Sequence, residues 1–308
     1  MVVYPQKTQG VVKMEKSMVY LVSTKDRGIG ARRCLKNMEL SDYTGKTVLV
    51  KPNFNTADAP PGSTHNDTLD ALLSAVREKN PQKIILGERS GPADTDEVFK
   101  AKGLAEMCLR YGVEFINFNN LPPEEWVVID KPGLHWPAGK LKVPRVLVEA
   151  DAVVGTCCLK THGVGGVFSN SLKLAVGITP KDFATLHNTP DMRKMIAEIN
   201  IAYTPELLLV DAVEVFTDRG PMDGERKNAN LMLAGSDRIA LDAVGLAILK
   251  SLGANSAIMD TPIFGQEQMA RAVELNLGIT RAEDIEIVTD DDSSAVAATR
   301  IQDVLLQG

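Results

Sequence analysis

Residues 47–91 read TVLVKPNFNTADAPPGSTHNDTLDALLSAVREKNPQKIILGERSG, and this stretch decides the fold. Thr47–Lys51 and Lys83–Leu86 are short runs rich in Val, Ile and Leu, which is typical of buried strands. Between them, Thr64–Lys79 carries apolar residues three and four positions apart, the spacing of an amphipathic helix. A strand, a helix and a second strand in this order predict two parallel strands joined by a crossover helix.

The same alternation of apolar runs and helical segments continues along the chain. We therefore expect an α/β fold, in which a mostly parallel sheet is flanked by helices in Rossmann-like layering. Residues 119–143 are rich in Pro and Gly, and we predict a small β excursion there. Further strands are predicted at Met18–Ser23, Val113–Phe118, Ala152–Leu159, Leu207–Val210, Asn230–Ala234 and Ile285–Val288.

The domain organisation follows from chain length and from the absence of an obvious linker. The 308 residues are enough for one large core or two modest ones. We predict a single α/β domain over residues 18–308, and two lobes with a cleft between them remain an alternative. Residues 1–17 mix charged residues with Pro and Gln, and we predict a ragged or disordered lead-in to the first strand.

The composition excludes several classes of function. The net charge is -6 and the pI is about 5.4, which argues against nucleic-acid binding because that function needs a basic face. The sequence has no apolar run of about 18 residues and no signal-peptide core, so neither membrane insertion nor export is expected. We predict a cytoplasmic protein. The sequence leaves the oligomeric state open, with a homo-oligomer as one option.

Two cofactor classes lack their sequence signatures. Gly28-Ile29-Gly30 resembles the start of a dinucleotide fingerprint, but Arg33 stands where the third glycine belongs, so no NAD site is expected. The cysteines form no Cys-x-x-Cys pair, and we therefore expect buried structural thiols and no iron–sulfur cluster. They are Cys34, Cys108, Cys157 and Cys158.

Polar residues follow the predicted strands at several points. In open α/β sheets, ligands bind beyond the carboxyl ends of the strands, so these residues predict a shared cleft. They are Lys51 and Asn53, Glu88 and Ser90, Lys160 and His162, Asp211, and Ser236 and Asp237.

Among these residues, Lys51 is the strongest indication of a binding site. A lysine at the end of an apolar strand carries a burial penalty unless it meets an anion or a carboxylate. Asn53 adds amide donors next to it. We predict that Lys51 and Asn53 bind an anionic ligand. The alternative is a structural ion pair between Lys51 and Glu88.

Lys160 and His162 stand two residues apart, before the glycines of residues 163–166. In an extended segment such residues share a face, so both side chains are expected to point at one substrate as catalytic groups. The alternative is a mobile glycine loop with a solvated histidine. Lys173 either reaches back to this cleft or faces solvent.

A divalent metal is the main alternative to an anion at the cleft. Its candidate ligands are His162, His65, Glu88 and Asp211. Asp218, Asp223 and Asp242 could also supply oxygen ligands, whereas Asp237 fits better as the N-cap of a helix. We expect His135 and His187 to lie on the surface.

Several short segments together resemble the domain-of-unknown-function family 362. The resemblance runs from about Val48 to Leu252. Many similar proteins carry a ferredoxin-like cysteine cluster, which implies redox surroundings, but this chain is a form without that cluster. The segments are Val48-Leu49-Val50-Lys51-Pro52-Asn53, Gly87-Glu88-Arg89-Ser90-Gly91, Lys160-Thr161-His162, Ser171-Leu172-Lys173-Leu174, Asp211-Ala212 with the later Gly220-Pro221 and Gly224, and Gly235-Ser236-Asp237-Arg238-Ile239-Ala240-Leu241-Asp242-Ala243.

Three functions remain open at this point. The first is binding, and conversion by an enzyme, of a small anionic metabolite such as a carboxylate or phosphate. In that case His162 and Lys160 act as catalytic groups. The second is an enzyme centred on a divalent metal, and the third is a non-catalytic metabolite carrier or sensor. The predicted substrate-binding residues are Lys51, Asn53, Glu88, Ser90, Lys173 and Asp211.

Overall fold

The computed structural model describes residues 16–308, apart from the side chain of Phe183. The predicted lead-in over residues 1–17 therefore lies almost wholly outside the described residues. Ser17 is already the first residue of a strand. The strands of the described range are β1 Ser17–Ser23, β2 Thr47–Lys51, β3 Lys83–Glu88, β4 Val113–Asn117, β5 Trp126–Asp130, β6 Lys140–Pro144, β7 Ala152–His162, β8 Val167–Ser169, β9 Leu207–Arg219, β10 Gly224–Gly235 and β11 Ile285–Val288.

The helices begin after polar capping residues in several cases. Asp26 accepts a hydrogen bond from the Ile29 amide at the start of the first helix, and Asp237 accepts from two amides at the start of the ninth. The helices are α1 Arg27–Asn37, α2 Asn66–Arg77, α3 Thr95–Ala101, α4 Leu104–Tyr111, α5 Arg145–Glu149, α6 Ser171–Leu174, α7 Phe183–His187, α8 Met192–Ile199, α9 Arg238–Ser251, α10 Ser256–Met259, α11 Glu267–Glu274 and α12 Asp292–Gln307.

The main sheet runs in the order β11-β1-β10-β9-β7-β2-β3-β4, and β8 pairs with the end of β7. The pairs β11–β1, β9–β7, β7–β2, β2–β3 and β3–β4 are parallel. The pairs β1–β10, β10–β9 and β7–β8 are antiparallel. The prediction of a mostly parallel sheet flanked by helices is confirmed.

Both faces of the sheet are covered, because neighbouring strand residues point to opposite sides. Val48 and Val50 of β2 pack with Leu69 and Leu72 of α2 in one core cluster. Leu49, between them, belongs to a different cluster on the other face, which includes residues of α8. A third cluster joins β7, β9 and α9. Within the described range, no helix is long and apolar enough to cross a membrane.

The predicted β excursion is a separate two-stranded antiparallel sheet of β5 and β6. The loop between these strands carries Trp136, which is 9% exposed and donates a hydrogen bond to the Met195 carbonyl. Glu198 of α8 accepts hydrogen bonds from the His135 amide and from Arg271 of α11. The excursion is thereby tied to α8 and α11 and packs against the main domain.

Several strands are longer than predicted, and two of them, β7 and β9, carry candidate site residues. β7 continues through Lys160 to His162 because β8 folds back onto it, pairing Val167 with His162 and Ser169 with Lys160. β9 continues beyond Asp211 because it pairs with β10 along most of its length. Lys160 and Asp211 therefore lie inside strands and His162 is the last residue of β7, whereas the sequence had predicted that the strands end before these residues.

Candidate functional site

β2, β3 and β7 are parallel neighbours, and β7 continues beyond the end of β2, because Lys51 pairs with Gly155 and β7 ends at His162. Lys51, Glu88 and Lys160 nevertheless meet at this edge of the sheet, where ligands bind in open α/β folds. They line a small cavity of about 70 Å³. A larger cavity of about 650 Å³ adjoins it. The two share seven lining residues, which are Asn55, Arg89, Gly91, His162, Lys173, Val176 and Pro221.

Lys51 and Glu88 form a buried ion pair. Lys51 Nζ lies 2.6 Å from Glu88 Oε1, and each residue is 2% exposed. Glu88 Oε2 also accepts a hydrogen bond from the Phe54 amide at 2.8 Å. Burial lowers the pKa of Lys51, and the Glu88 carboxylate opposes that shift. A Cβ at Gly177 would lie 2.5 Å from Glu88 Oε1, so glycine is required beside this pair. The predicted anion-binding lysine thus already has an internal partner.

Lys160 is fully engaged as a hydrogen-bond donor. Its Nζ atom donates to Asn53 Oδ1 at 3.0 Å, to the Pro61 carbonyl at 2.5 Å and to the Gly62 carbonyl at 2.9 Å. An ammonium group has three hydrogens, so these bonds use all of them. Lys160 therefore holds the loop after β2 in place. The carbonyl group of the Asn53 side chain faces Lys160, and Asn53 lines the small cavity.

His162 lies on the same face of β7 as Lys160, and both line the small cavity. This agrees with the predicted pairing of residues two apart. His162 is 8% exposed, and its buried Nδ1 atom has no hydrogen-bond partner within residues 16–308. Burial, followed by the charge of Lys173, lowers the pKa of His162 to about 2. The imidazole is therefore neutral at physiological pH.

Lys173 of α6 points back to the cleft and lines both cavities. Of the two alternatives left open by the sequence, the structure has the one that brings Lys173 to the site. In the described part of the chain its ammonium group has neither a hydrogen-bond acceptor nor a carboxylate partner. Burial, followed by the charges of Lys160 and Arg89, lowers its pKa to about 7. The protonated and neutral forms of Lys173 are thus both populated near neutral pH.

Arg89 is a site residue that the sequence reasoning missed. It is 7% exposed, and its Nε atom donates to the Thr179 carbonyl at 3.0 Å. Nη2 donates to the Val176 carbonyl and to Thr179 Oγ1. Nη1 has no hydrogen-bond partner among residues 16–308, and Arg89 lines both cavities. Its position directly after Glu88, at the end of a strand, could have indicated that Arg89 belongs to the site.

Two predicted substrate-binding residues lie outside the linings of both cavities. Ser90 is buried, and its hydroxyl donates to the Phe54 carbonyl at 2.7 Å. Asp211 is 1% exposed and pairs with Arg27, whose Nε lies 2.6 Å from Asp211 Oδ2. In these contacts both residues hold neighbouring segments together.

The other histidines have different surroundings. His65 caps α2 and accepts a hydrogen bond from the Asp67 amide. His135 is 29% exposed in its side chain and lies 2.6 Å from the buried Glu198 carboxylate. His187 lines the larger cavity, although the sequence placed it on the surface. The expectation that Asp237 is a helix N-cap is confirmed.

The candidate metal ligands do not form a group. In the chain from residue 16 onward, no three His, Cys, Asp or Glu side chains are placed to hold a metal ion together. Glu88 is occupied by Lys51 and Asp211 by Arg27. The four cysteines are buried free thiols, as expected, and burial raises the pKa of Cys108 to about 11.

Fold and site together define an α/β protein with a cation-rich cleft at the carboxyl ends of three parallel strands. The family model described as "Domain of unknown function (DUF362)" matches residues 48–247. The chain belongs to this family.

A thylakoid-associated protein of Synechocystis is similar to the chain, with 25% identity over 224 residues, or 67% of this chain and 64% of the relative. The chain thus spans less than two thirds of that relative's length. Among solved structures, the lactate racemase apoprotein of Thermoanaerobacterium thermosaccharolyticum matches with a TM-score of 0.46 and 17% identity over 93% of this chain and 86% of that one. A protein of Thermotoga maritima matches with a TM-score of 0.47 and 18% identity, and the match covers 73% of this chain and 56% of that protein.

Proposed function

We propose that the chain binds a small anionic metabolite, a carboxylate or a phosphate, between Lys173 and Arg89. The observation that carries this proposal is the ammonium group of Lys173, which is half-buried, lines both cavities and has no anionic or hydrogen-bonding partner in the described residues. A charge partly removed from water is costly unless it is paired. A bound anion supplies the missing partner.

The charges around the small cavity favour the same ligand class. Four cationic side chains line it against one carboxylate, Glu88, and that carboxylate is already paired with Lys51. The protein carries a net charge of -6, so this local excess of positive charge is opposite to the overall balance. A cleft lined by one sign of charge attracts ligands of the other sign. The other cationic side chains of the lining are Arg89, Lys160 and Lys173.

Arg89 is suited to hold an anion in a fixed orientation. Its Nε and Nη2 atoms are anchored to Thr179 and Val176, which leaves Nη1 to donate to a ligand. A charge-assisted hydrogen bond of this kind is stronger than a neutral one. Since the guanidinium group is held by protein carbonyls, little side-chain freedom is lost when the ligand binds.

If the bound anion is converted, Lys173 is the acid–base group that fits best. A proton-transfer group works best when its pKa lies near the working pH, and the pKa of Lys173 is about 7. His162, with a pKa near 2, stays neutral and offers the unpartnered Nδ1 atom as a hydrogen-bonding site. Lys173 thereby takes the role that the sequence had assigned to His162 and Lys160.

Titration calorimetry with inorganic phosphate and acetate tests the proposal. The variants are Lys173→Met, which removes the charge at similar size, and Lys36→Met as a control on the exposed surface of α1. The wild type and Lys36→Met should bind equally, and Lys173→Met should lose at least about tenfold in affinity, since a charged hydrogen bond is lost. Equal binding by Lys173→Met, or no binding of either anion by the wild type, would refute the proposal.

A further inference from the structure

The larger cavity differs in chemistry from the small one. It shares Arg89, Lys173 and His162 with the small cavity, and its lining also includes the charged side chains of Lys140, Lys142 and Asp182. The apolar side chains of its lining include Trp136, Leu186, Met222, Val164, Pro180 and Pro137. The site therefore has a cationic wall at the small cavity and a larger space lined by many apolar side chains.

The volume of the larger cavity exceeds the size of a simple anion. A cavity of about 650 Å³ falls in the range of sites that enclose whole organic ligands, about 300–1,000 Å³. An inorganic phosphate or a two-carbon acid would fill only the space beside the cationic wall. The apolar walls at Trp136 and Leu186 would then face water, although burying them against a ligand is favourable.

The loop that carries Trp136 is held in place by hydrogen bonds, several of them to the buried Glu198. Trp136 Nε1 donates to the Met195 carbonyl, and the neighbouring His135 is bonded to Glu198. Arg271 joins the same network by donating to Glu198 and to the Gly133 carbonyl. Since these bonds fix the loop before and around Trp136, the cavity wall is part of the folded structure.

We infer that the ligand of this site is an amphiphilic anion, with a carboxylate or phosphate head group at Lys173 and Arg89 and an apolar body in the larger cavity. This inference rests on the proposed anion binding and adds the class of ligand. A body of several carbon atoms, aliphatic or aromatic, packs against Trp136, Leu186 and Met222.

A series of straight-chain carboxylates from acetate to octanoate tests this inference by titration calorimetry on the wild type. Affinity should tighten by about threefold to fourfold with each added CH₂ until the cavity is filled, because each buried CH₂ adds a constant favourable contribution. Affinity that does not change with chain length, or suberate binding more tightly than octanoate, would overturn the inference. If acetate, octanoate and inorganic phosphate all fail to bind, the proposed function itself fails, whereas phosphate binding without octanoate binding overturns this inference alone.

Two matched variants locate the apolar body. Met222 lines the larger cavity and is 46% exposed, so Met222→Ser should leave the fold intact. Met259→Ser is the control, because Met259 is 42% exposed and lies outside both cavity linings. Met222→Ser should weaken octanoate about threefold and leave acetate unchanged, while Met259→Ser changes neither. Equal effects of the two substitutions on octanoate would contradict the assignment of the larger cavity to the apolar body.

Discussion

His162 Nδ1 and Lys173 Cε approach the same point beside Gly166. A methyl group on Gly166 would lie 3.0 Å from the first atom and 2.8 Å from the second. Burial and the neighbouring positive charges make protonation unfavourable for both side chains, and the charge of Lys173 is the second cause of the low pKa of His162. The site thus combines a neutral imidazole with a lysine that titrates near pH 7.

Gly166→Ala is expected to weaken anion binding without unfolding the protein. The added methyl group would displace the end of the Lys173 side chain, which is flexible and can move away. We expect about a tenfold loss in phosphate affinity with an unchanged unfolding midpoint in urea. Gly163→Ala is the control in the same loop, because its nearest contacts would lie at 3.4 Å and beyond. Equal phosphate affinity in both variants would show that the position of Lys173 does not matter.

Anion affinity is expected to fall as pH rises through 7. Only protonated Lys173 attracts an anion, and its pKa in the free protein is about 7. Below that pH the affinity for sulfate should be level, and above it should fall by up to about tenfold per pH unit because binding then requires proton uptake. Lys173→Arg keeps its charge and should give a level profile from pH 6 to 9. A level profile in the wild type as well would contradict the assigned titration.

In the absence of ligand, Lys173 is expected to lower the free energy of unfolding of the protein. Its pKa is lowered in the folded protein from 10.5 to about 7, so between these values the unfolded chain binds a proton that the folded chain does not. The free energy of unfolding should therefore rise with pH from about 7 to 10.5. Lys173→Met should lose this rise and be more stable at pH 7 by roughly 2 kcal/mol, because an unpaired, half-buried charge is replaced by an apolar group.

Urea unfolding at several pH values measures both effects of Lys173→Met, with Lys36→Met as the control. The control should follow the wild type throughout. A Lys173→Met variant that is less stable than the wild type at pH 7 would mean that Lys173 has a stabilising partner.

Substitutions of Lys51 and Glu88 are expected to have non-additive effects on the free energy of unfolding. Lys51→Met leaves the Glu88 carboxylate buried without its cation, which costs about 3–5 kcal/mol. Adding Glu88→Gln should recover part of that loss, because no uncompensated charge then remains. A double-mutant cycle from urea unfolding measures the coupling, expected at about 2 kcal/mol. Additive losses would show that Lys51 and Glu88 do not interact in the folded protein.

Much of the fold was predictable because it depends on local patterns. β2 at Thr47–Lys51 and β11 at Ile285–Val288 were predicted to the residue, since each is an apolar run with polar neighbours. The end of β7 was not predicted correctly, because Lys160-Thr161-His162 is a polar segment. Its strand conformation depends on pairing with Val167–Ser169, which no apolar pattern indicates.

The site was predictable in its location and less so in its roles. Strand-end polarity placed Lys51, Glu88 and Lys160 together. Their hydrogen-bond partners come from distant segments, however, as with Lys160 and the Pro61 carbonyl 99 positions away. Arg89 is oriented by the Thr179 carbonyl, 90 positions along the chain. Which lysine lacks a partner is a property of the folded structure, and no local spacing reveals it.

A crystal soaked in selenate gives the most direct test of the anion site, because the selenium position can be located by its anomalous signal. We predict a selenium peak whose oxygen atoms lie within hydrogen-bond distance of Lys173 Nζ and Arg89 Nη1. Selenate found only on the outer surface, with none between Lys173 and Arg89, would contradict the account.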